Sequence, residues 1–236
     1  MGTRGASSAE HFLRAGYAVI FFHREESLKP FSRKFVNLFA DIEVIDGKAI
    51  CTAPGITEAV TEQHKYKDDL CMVPFVTIDD YLHLLEKLCA LLANHGRLAL
   101  LYLAAAVSDF YISQDKMPTH KIQSSDGDLN LSLSVVPKKL GSVISSLVPE
   151  AFTISFKLET DESILIKKAR GALEKYGHEL VIGNVLQMRK RKVVFVELAA
   201  AEPIELSDNE VNAGVEIETR IVEELVKKHS VFIENH

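Results

Sequence analysis

The chain has little cysteine: Cys51, Cys71 and Cys89 are its only three among 236 residues. They are odd in number, widely spaced and form no C-x-x-C pair, and the histidines do not cluster. That pattern speaks against a disulfide framework and a zinc site and sets the expectation of a reducing, cytoplasmic environment. Cys89, within an apolar helical stretch, reads as a small buried hydrophobe. Long apolar runs are also missing. None approaches the roughly 18 residues of a membrane span, and the opening MGTRGASSAEHFL lacks the apolar centre of a secretory signal. Charge of one sign is scarce as well: 27 Lys and Arg face 33 Asp and Glu, with no basic stripe. Neither a membrane nor a nucleic acid is therefore an expected partner. A compact anionic ligand stays compatible, because local charge can differ from the global sign. No Gly-x-Gly-x-x-Gly follows a strand and no Tyr-x-x-x-Lys pair occurs, so a nicotinamide-dependent dehydrogenase fits poorly.

What is present is a chain with 47% hydrophobic residues, enough for one large or two small cores. Residues 7–15 read as a helix entered through Ser7 and Ser8 and closed by Gly16, followed by an apolar run, 17–22, typical of a strand buried on both faces. Residues 23–76, interrupted by Pro30, Pro54, Gly55 and Pro74, are expected to hold only short elements at the periphery. Thr77 and Asp80 resemble a capping box, and Tyr81, Leu84, Leu85, Leu88, Leu91 and Leu92 recur at helical spacing until Gly96. Strands are expected at 98–107, 129–136, 152–156 and 180–183, with helices from Pro137 to about 147 and over 160–176. The tail reads as a hairpin, 193–198 with 203–206, and a last helix behind Ser207-x-x-Glu210. Alternating strands and helices imply one α/β domain, a three-layer αβα Rossmann-like fold with a mostly parallel sheet and a C-terminal hairpin and helix. In such sheets ligands sit outside the carboxyl ends of the strands.

Three strand ends carry polar or aromatic side chains: Ser108 and Asp109 after Val107, Phe156, Lys157 and Glu159 after Ile154, and Asn184 after Gly183. Each is equally an ordinary exit from the core. Gly2-Thr3-Arg4-Gly5 before a helix start lets backbone N–H groups approach a phosphate, although two glycines there are more often just a turn. Lys121 lies on a polar loop long enough to fold over a site and neutralise developing charge; alone, a loop lysine is far more often simply solvated. Phe156 is a core ring or a wall for a base. The run Arg189-Lys190-Arg191-Lys192 reads as a solvated turn.

Taken together and in order, LAAAVSDFY, MPTHKIQSS, ISFKLETD and VIGNVL resemble the phosphopantothenate–cysteine ligase family, in its eukaryotic stand-alone type. The resemblance runs from Gly2 to the last helix and is weakest over 23–76. It implies a coenzyme A biosynthetic ligase that joins 4′-phosphopantothenate and L-cysteine through an acyl-adenylate, with ATP as a substrate and Mg2+ as its ion. By the same resemblance, Gly2, Gly5, Phe156 and Asn184 bind nucleotide, and Ala105, Ala106 and Asp109 bind phosphopantothenate. Lys121 is the catalytic lid lysine. Gln123 stands where bacterial relatives carry a lysine, which favours ATP over CTP, and a homodimer is implied. The family begins with a strand, a glycine-rich loop and an Asp-Asn-Phe-Ser-Ser segment ahead of the Gly-x-x-Gly turn at which this chain starts. An N-terminally truncated form with two unpaired sheet edges is therefore expected. The alternative is a non-catalytic paralogue that binds nucleotide or pairs with a full-length subunit.

Overall fold

In the computed structural model the described residues are 2–105, 110–112, 116, 120, 133–135 and 146–235. Helix α1 spans Thr3–Arg14 and therefore starts before the two serines expected to open it. The serines are not caps because they point into the core: Ser7 and Ser8 are buried, and each hydroxyl bonds a distant side chain. Strand β1, Val19–Arg24, follows. It alternates in burial, with Phe21 and His23 inside, so it is not covered evenly on both faces as expected.

The region expected to be irregular holds more regular structure than the prolines suggested. A short 3-10 turn leads into a hairpin of β2, Ile42–Ile45, and β3, Lys48–Cys51. Helix α2, Ile56–Lys65, starts at Gly55, whose φ of 82° is the left-handed conformation that glycine adopts freely. Strand β4, Leu70–Phe75, then pairs in parallel with β1. Helix α3, Ile78–Leu92, opens on the expected box: Thr77 accepts from the Asp80 N–H while the Asp80 carboxylate accepts from the Thr77 N–H.

The main sheet is built from β5, Leu100–Leu103; β8, Phe152–Glu159; β9, Leu180–Val185; β10, Lys192–Val196; and β11, Ala201–Glu205. Between β5 and β8 in the chain lies a two-residue ladder of β6, Phe110–Tyr111, and β7, Ser134–Val135. The spatial order is β11-β10-β9-β8-β5; the β5–β8–β9 pairs are parallel, and β9–β10–β11 are antiparallel. Among the described residues β1 pairs only with β4 and β5 only with β8, so no strand joins the small sheet to the main one. Helix α4, Glu162–Tyr176, ends at Gly177 with φ 67°, and the Ser207–Glu210 box caps a separate short helix, α5, Asp208–Asn212. The last helix, α6, Ile217–Glu234, begins after Gly214, not at that box. The helix expected from Pro137 lies almost wholly outside the described residues.

The period of two in the strands divides the sheet faces. Tyr102, Ile154, Phe156 and Ile182 face α1 and α6, packing with Phe12, Ile217, Ile221 and Leu225. Leu101 faces α3 beside Tyr81, Leu85 and Cys89, and Val181 faces α4 beside Leu165, Ala169 and Leu173. This is a three-layer αβα arrangement. Phe22 of β1 joins the α3 cluster and Val19 joins the α1–α6 cluster, so the small β1–β4 sheet shares both cores.

Candidate functional site

The carboxyl ends of β5, β8 and β9 lie along one edge because the three strands are parallel and in register, Leu103 beside Ser155 and Phe156 beside Ile182. Both β8 and β9 continue beyond the points where the sequence suggested they stop, so Phe156 and Asn184 lie within strands. Their side chains share the face that α1 covers, since Leu158 pairs with Asn184 two residues after the Phe156–Ile182 pair.

Phe156 is half-buried and meets the Tyr102 ring edge-on, with centroids 5.0 Å apart. Tyr102 is fixed in turn by a 2.8 Å hydrogen bond between its hydroxyl and Ser8 on α1, and burial pushes that phenol well above its ordinary range. Asn184 is 5% exposed; its Nδ2 donates to the Ile182 carbonyl, while Oδ1 is buried without a hydrogen-bond partner. A buried acceptor left unpaired costs about 1–3 kcal/mol, so this oxygen calls for a donor.

The start of α1 comes to the same edge. Gly2 is its N-cap and offers no side-chain acceptor, and no acidic residue lies in the first turn. The first N–H groups thus have no capping side chain, and the positive end of the helix dipole lies at this turn. A Cβ on Gly2 would come within 3.2 Å of Ser27 Cβ, so the backbone packs closely there. Arg4 ties this turn to the strands: its Nη2 donates to the Arg189 carbonyl at 2.6 Å, and its guanidinium lies 5.8 Å from the centre of the Phe156 ring. Glu218 of α6 sits 3.4 Å from Arg4, and burial raises its carboxyl above the usual range despite that guanidinium.

A second group fixes the direction of α1. Buried Glu10 accepts from the Phe31 N–H and from Arg33 Nε, both at 2.8 Å, and Arg33 Nη1 donates to Glu216 at 2.7 Å. Burial alone would raise the Glu216 carboxyl, but hydrogen bonds from Arg33 and Ser7 outweigh it and hold it at about 2.

The structure thus brings together Phe156, Asn184 and the Gly2–Gly5 turn, with Arg4 spanning them. Ala105 is exposed just beyond the end of β5, on the same edge. Ala106, Asp109 and Lys121 lie outside the described residues. Sequence reasoning missed Arg4, Glu218, Tyr102 and Ser8. Arg4 stood inside the Gly-Thr-Arg-Gly turn, but nothing in the linear sequence signals its approach to β8 and α6.

Residues 72–212, more than half the chain, match the family described as DNA/pantothenate metabolism flavoprotein C-terminal domain. Over 98% of its length the chain is 41% identical to the phosphopantothenate–cysteine ligase of Homo sapiens and 39% identical to the ligase CAB2 of Saccharomyces cerevisiae. It spans 79% of the human protein and 70% of the yeast one. Among solved structures, a histidine-to-alanine mutant of Cab2 in complex with phosphopantothenate-cysteine superposes with a TM-score of 0.87 at 39% identity, over 99% of this chain and 79% of that one. The DNA/pantothenate metabolism flavoprotein of Streptococcus pneumoniae, at 20% identity and a TM-score of 0.65 over 98% of this chain and 88% of that one, shares the fold. A chain with this sheet, this edge and near full-length identity of about 40% to such proteins belongs to the phosphopantothenate–cysteine ligase family.

Proposed function

We propose that the chain joins 4′-phosphopantothenate to L-cysteine in coenzyme A biosynthesis, using ATP through an acyl-adenylate, as a cytoplasmic homodimer. The observation that supports this reading most directly is the meeting, at one strand edge, of the uncapped start of α1, the Phe156 ring and the unsatisfied Asn184 oxygen. A base against Phe156 gains stacking, and phosphates at Gly2 and Gly5 gain the helix N–H groups. Ala105, Ala106 and Asp109, at and beyond the end of β5, would take the phosphopantothenate. Among the described residues no helix is long and apolar enough to cross a membrane.

The chemistry follows from the weakness of a carboxylate as an electrophile. A carboxylate oxygen of phosphopantothenate attacks the α-phosphorus, the bond to the β-phosphate breaks, and pyrophosphate leaves. The cysteine amine then attacks the acyl carbon, loses a proton and displaces AMP. Lys121 would offset negative charge gathering around the phosphorus. Mg2+ supplies further positive charge when bound.

Mass-spectrometric detection of phosphopantothenoylcysteine from the complete substrate mixture tests the reading. Product is expected with the unaltered chain. In Lys121→Ala, turnover is expected to fall by about 10²-fold or more, the scale of removing one electrostatic stabiliser, with nucleotide affinity little changed. Unchanged turnover would refute the lid role. Nucleotide binding without product would favour a binding-only protein.

A further inference from the structure

Arg4 is the second residue of α1, so its backbone belongs to the turn whose N–H groups lack a side-chain acceptor. Its side chain leaves that turn and lies against the aromatic wall. One terminal nitrogen is committed to the Arg189 carbonyl at 2.6 Å. The other, Nη1, is buried and makes no hydrogen bond; Glu218 Oε1, at 3.4 Å, is an ion-pair neighbour at a distance too long for a good one. On the same face the Asn184 oxygen, 5% exposed as a residue, is also without a partner. Two unmatched polar atoms of opposite kind, a donor on α1 and an acceptor on β9, are thus present on the face that carries the Phe156 ring. Water could satisfy either separately, but a nucleotide offers both a phosphate oxygen and hydroxyl or amino donors along one molecule.

Resting on the reading of this edge as a nucleotide site, the geometry points to a role for Arg4 that the family motifs did not assign. A nucleotide with its base on Phe156 and its phosphates at the start of α1 has to run along Arg4, which is anchored at both ends of that span. We propose that Arg4 is a further catalytic residue, a phosphate ligand whose Nη1 donates to a non-bridging oxygen of the α-phosphate and offsets the charge that builds there as the carboxylate attacks. Glu218 holds the guanidinium in place beforehand and partly neutralises it. A guanidinium suits this task because its planar fork can keep the Arg189 carbonyl with one nitrogen while offering the other.

Displacement of a fluorescent ATP analogue by ATP, AMP and adenosine separates this role from that of a mere bolt between α1, the 186–191 turn and α6. In Arg4→Met, ATP and AMP are expected to bind about tenfold or more weakly, the loss of one charge-assisted hydrogen bond, while adenosine is unchanged. Arg4→Lys should recover part of the loss, and turnover at saturating ATP should fall in Arg4→Met. Equal weakening of all three ligands would mean that Arg4 only holds the wall, and unchanged ATP affinity would mean that it touches no phosphate; either overturns the proposal. Should Arg4→Met not fold, Glu218→Gln decides: tighter ATP and AMP with unchanged adenosine is expected, and no change is contrary. If the unaltered chain fails to bind the analogue at all, the nucleotide reading itself falls, and the proposal with it.

Discussion

Arg33 shows how much of this molecule is settled by a few buried charges. Its side chain is 7% exposed and lies between Glu10, 6% exposed, and Glu216. The same Glu10 holds the N–H of Phe31, a residue with φ 63°, in the left-handed region that a phenylalanine seldom adopts. Arg33→Met would strand both carboxylates, and a loss of about 3–5 kcal/mol in urea unfolding is expected, the scale for breaking one side of a buried pair. Replacing Arg33 without loss of stability would contradict the described network. Acid should destabilise the fold in two ranges. Burial lowers His178 and His229 below their usual 6.5, and burial followed by the Arg14 charge lowers His11. The unfolded chain therefore takes up protons first, so this part of the stability is complete above pH 6.5 and drains away as pH falls through it. Glu216, depressed from 4.5 to about 2, adds a second loss between those values. Thermal melts across pH 8 to 3 check both; a melting temperature flat between pH 7 and pH 5 would contradict the histidine assignment.

At the scale of single elements, sequence signals worked where one local rule decided the outcome. The Thr77–Asp80 box and the Gly177 terminus are set by backbone groups within a few residues, and both are present as expected. Thr77→Ala should cost about 1 kcal/mol in denaturant unfolding. Local rules misled where tertiary contacts took over. Ser7 and Ser8 have the composition of caps, yet their hydroxyls serve Glu216 and Tyr102 in the core, so α1 starts earlier at a bare glycine. Ser207 and Glu210 do form a box, but Gly214, at φ 73°, separates that short turn from the last helix. Gly183 carries meaning invisible to periodicity: a Cβ there would approach Leu165 Cγ of α4 at 3.1 Å. Gly183→Ala is expected to destabilise by about 1–3 kcal/mol through overpacking and, one residue from Asn184, to weaken nucleotide binding. Wild-type stability in that variant would show that α4 can yield.

At the scale of the whole molecule, alternating apolar strands and amphipathic helices made the αβα layering legible, because both periods are written in the chain. The 23–76 segment was less so. Pro74 lies inside β4, and proline is tolerated there because, among the described residues, β4 pairs on one side only, with β1. A strand with an interior proline and exposed Met72 does not announce itself as a partner of β1. The candidate site was legible only as scattered strand ends until the family motifs joined them. Phe156 and Asn184 do share a face and an edge, and Gly2 and Gly5 reach it through Arg4. Contacts between distant segments, such as Arg4 with Glu218, have no sequence signature. Pyrophosphate release tests the central claim most directly, measured with 4′-phosphopantothenate, ATP, Mg2+ and cysteine and with each omitted in turn. The account predicts release that requires phosphopantothenate and ATP together; no release from the complete mixture, or release indifferent to phosphopantothenate, would contradict it.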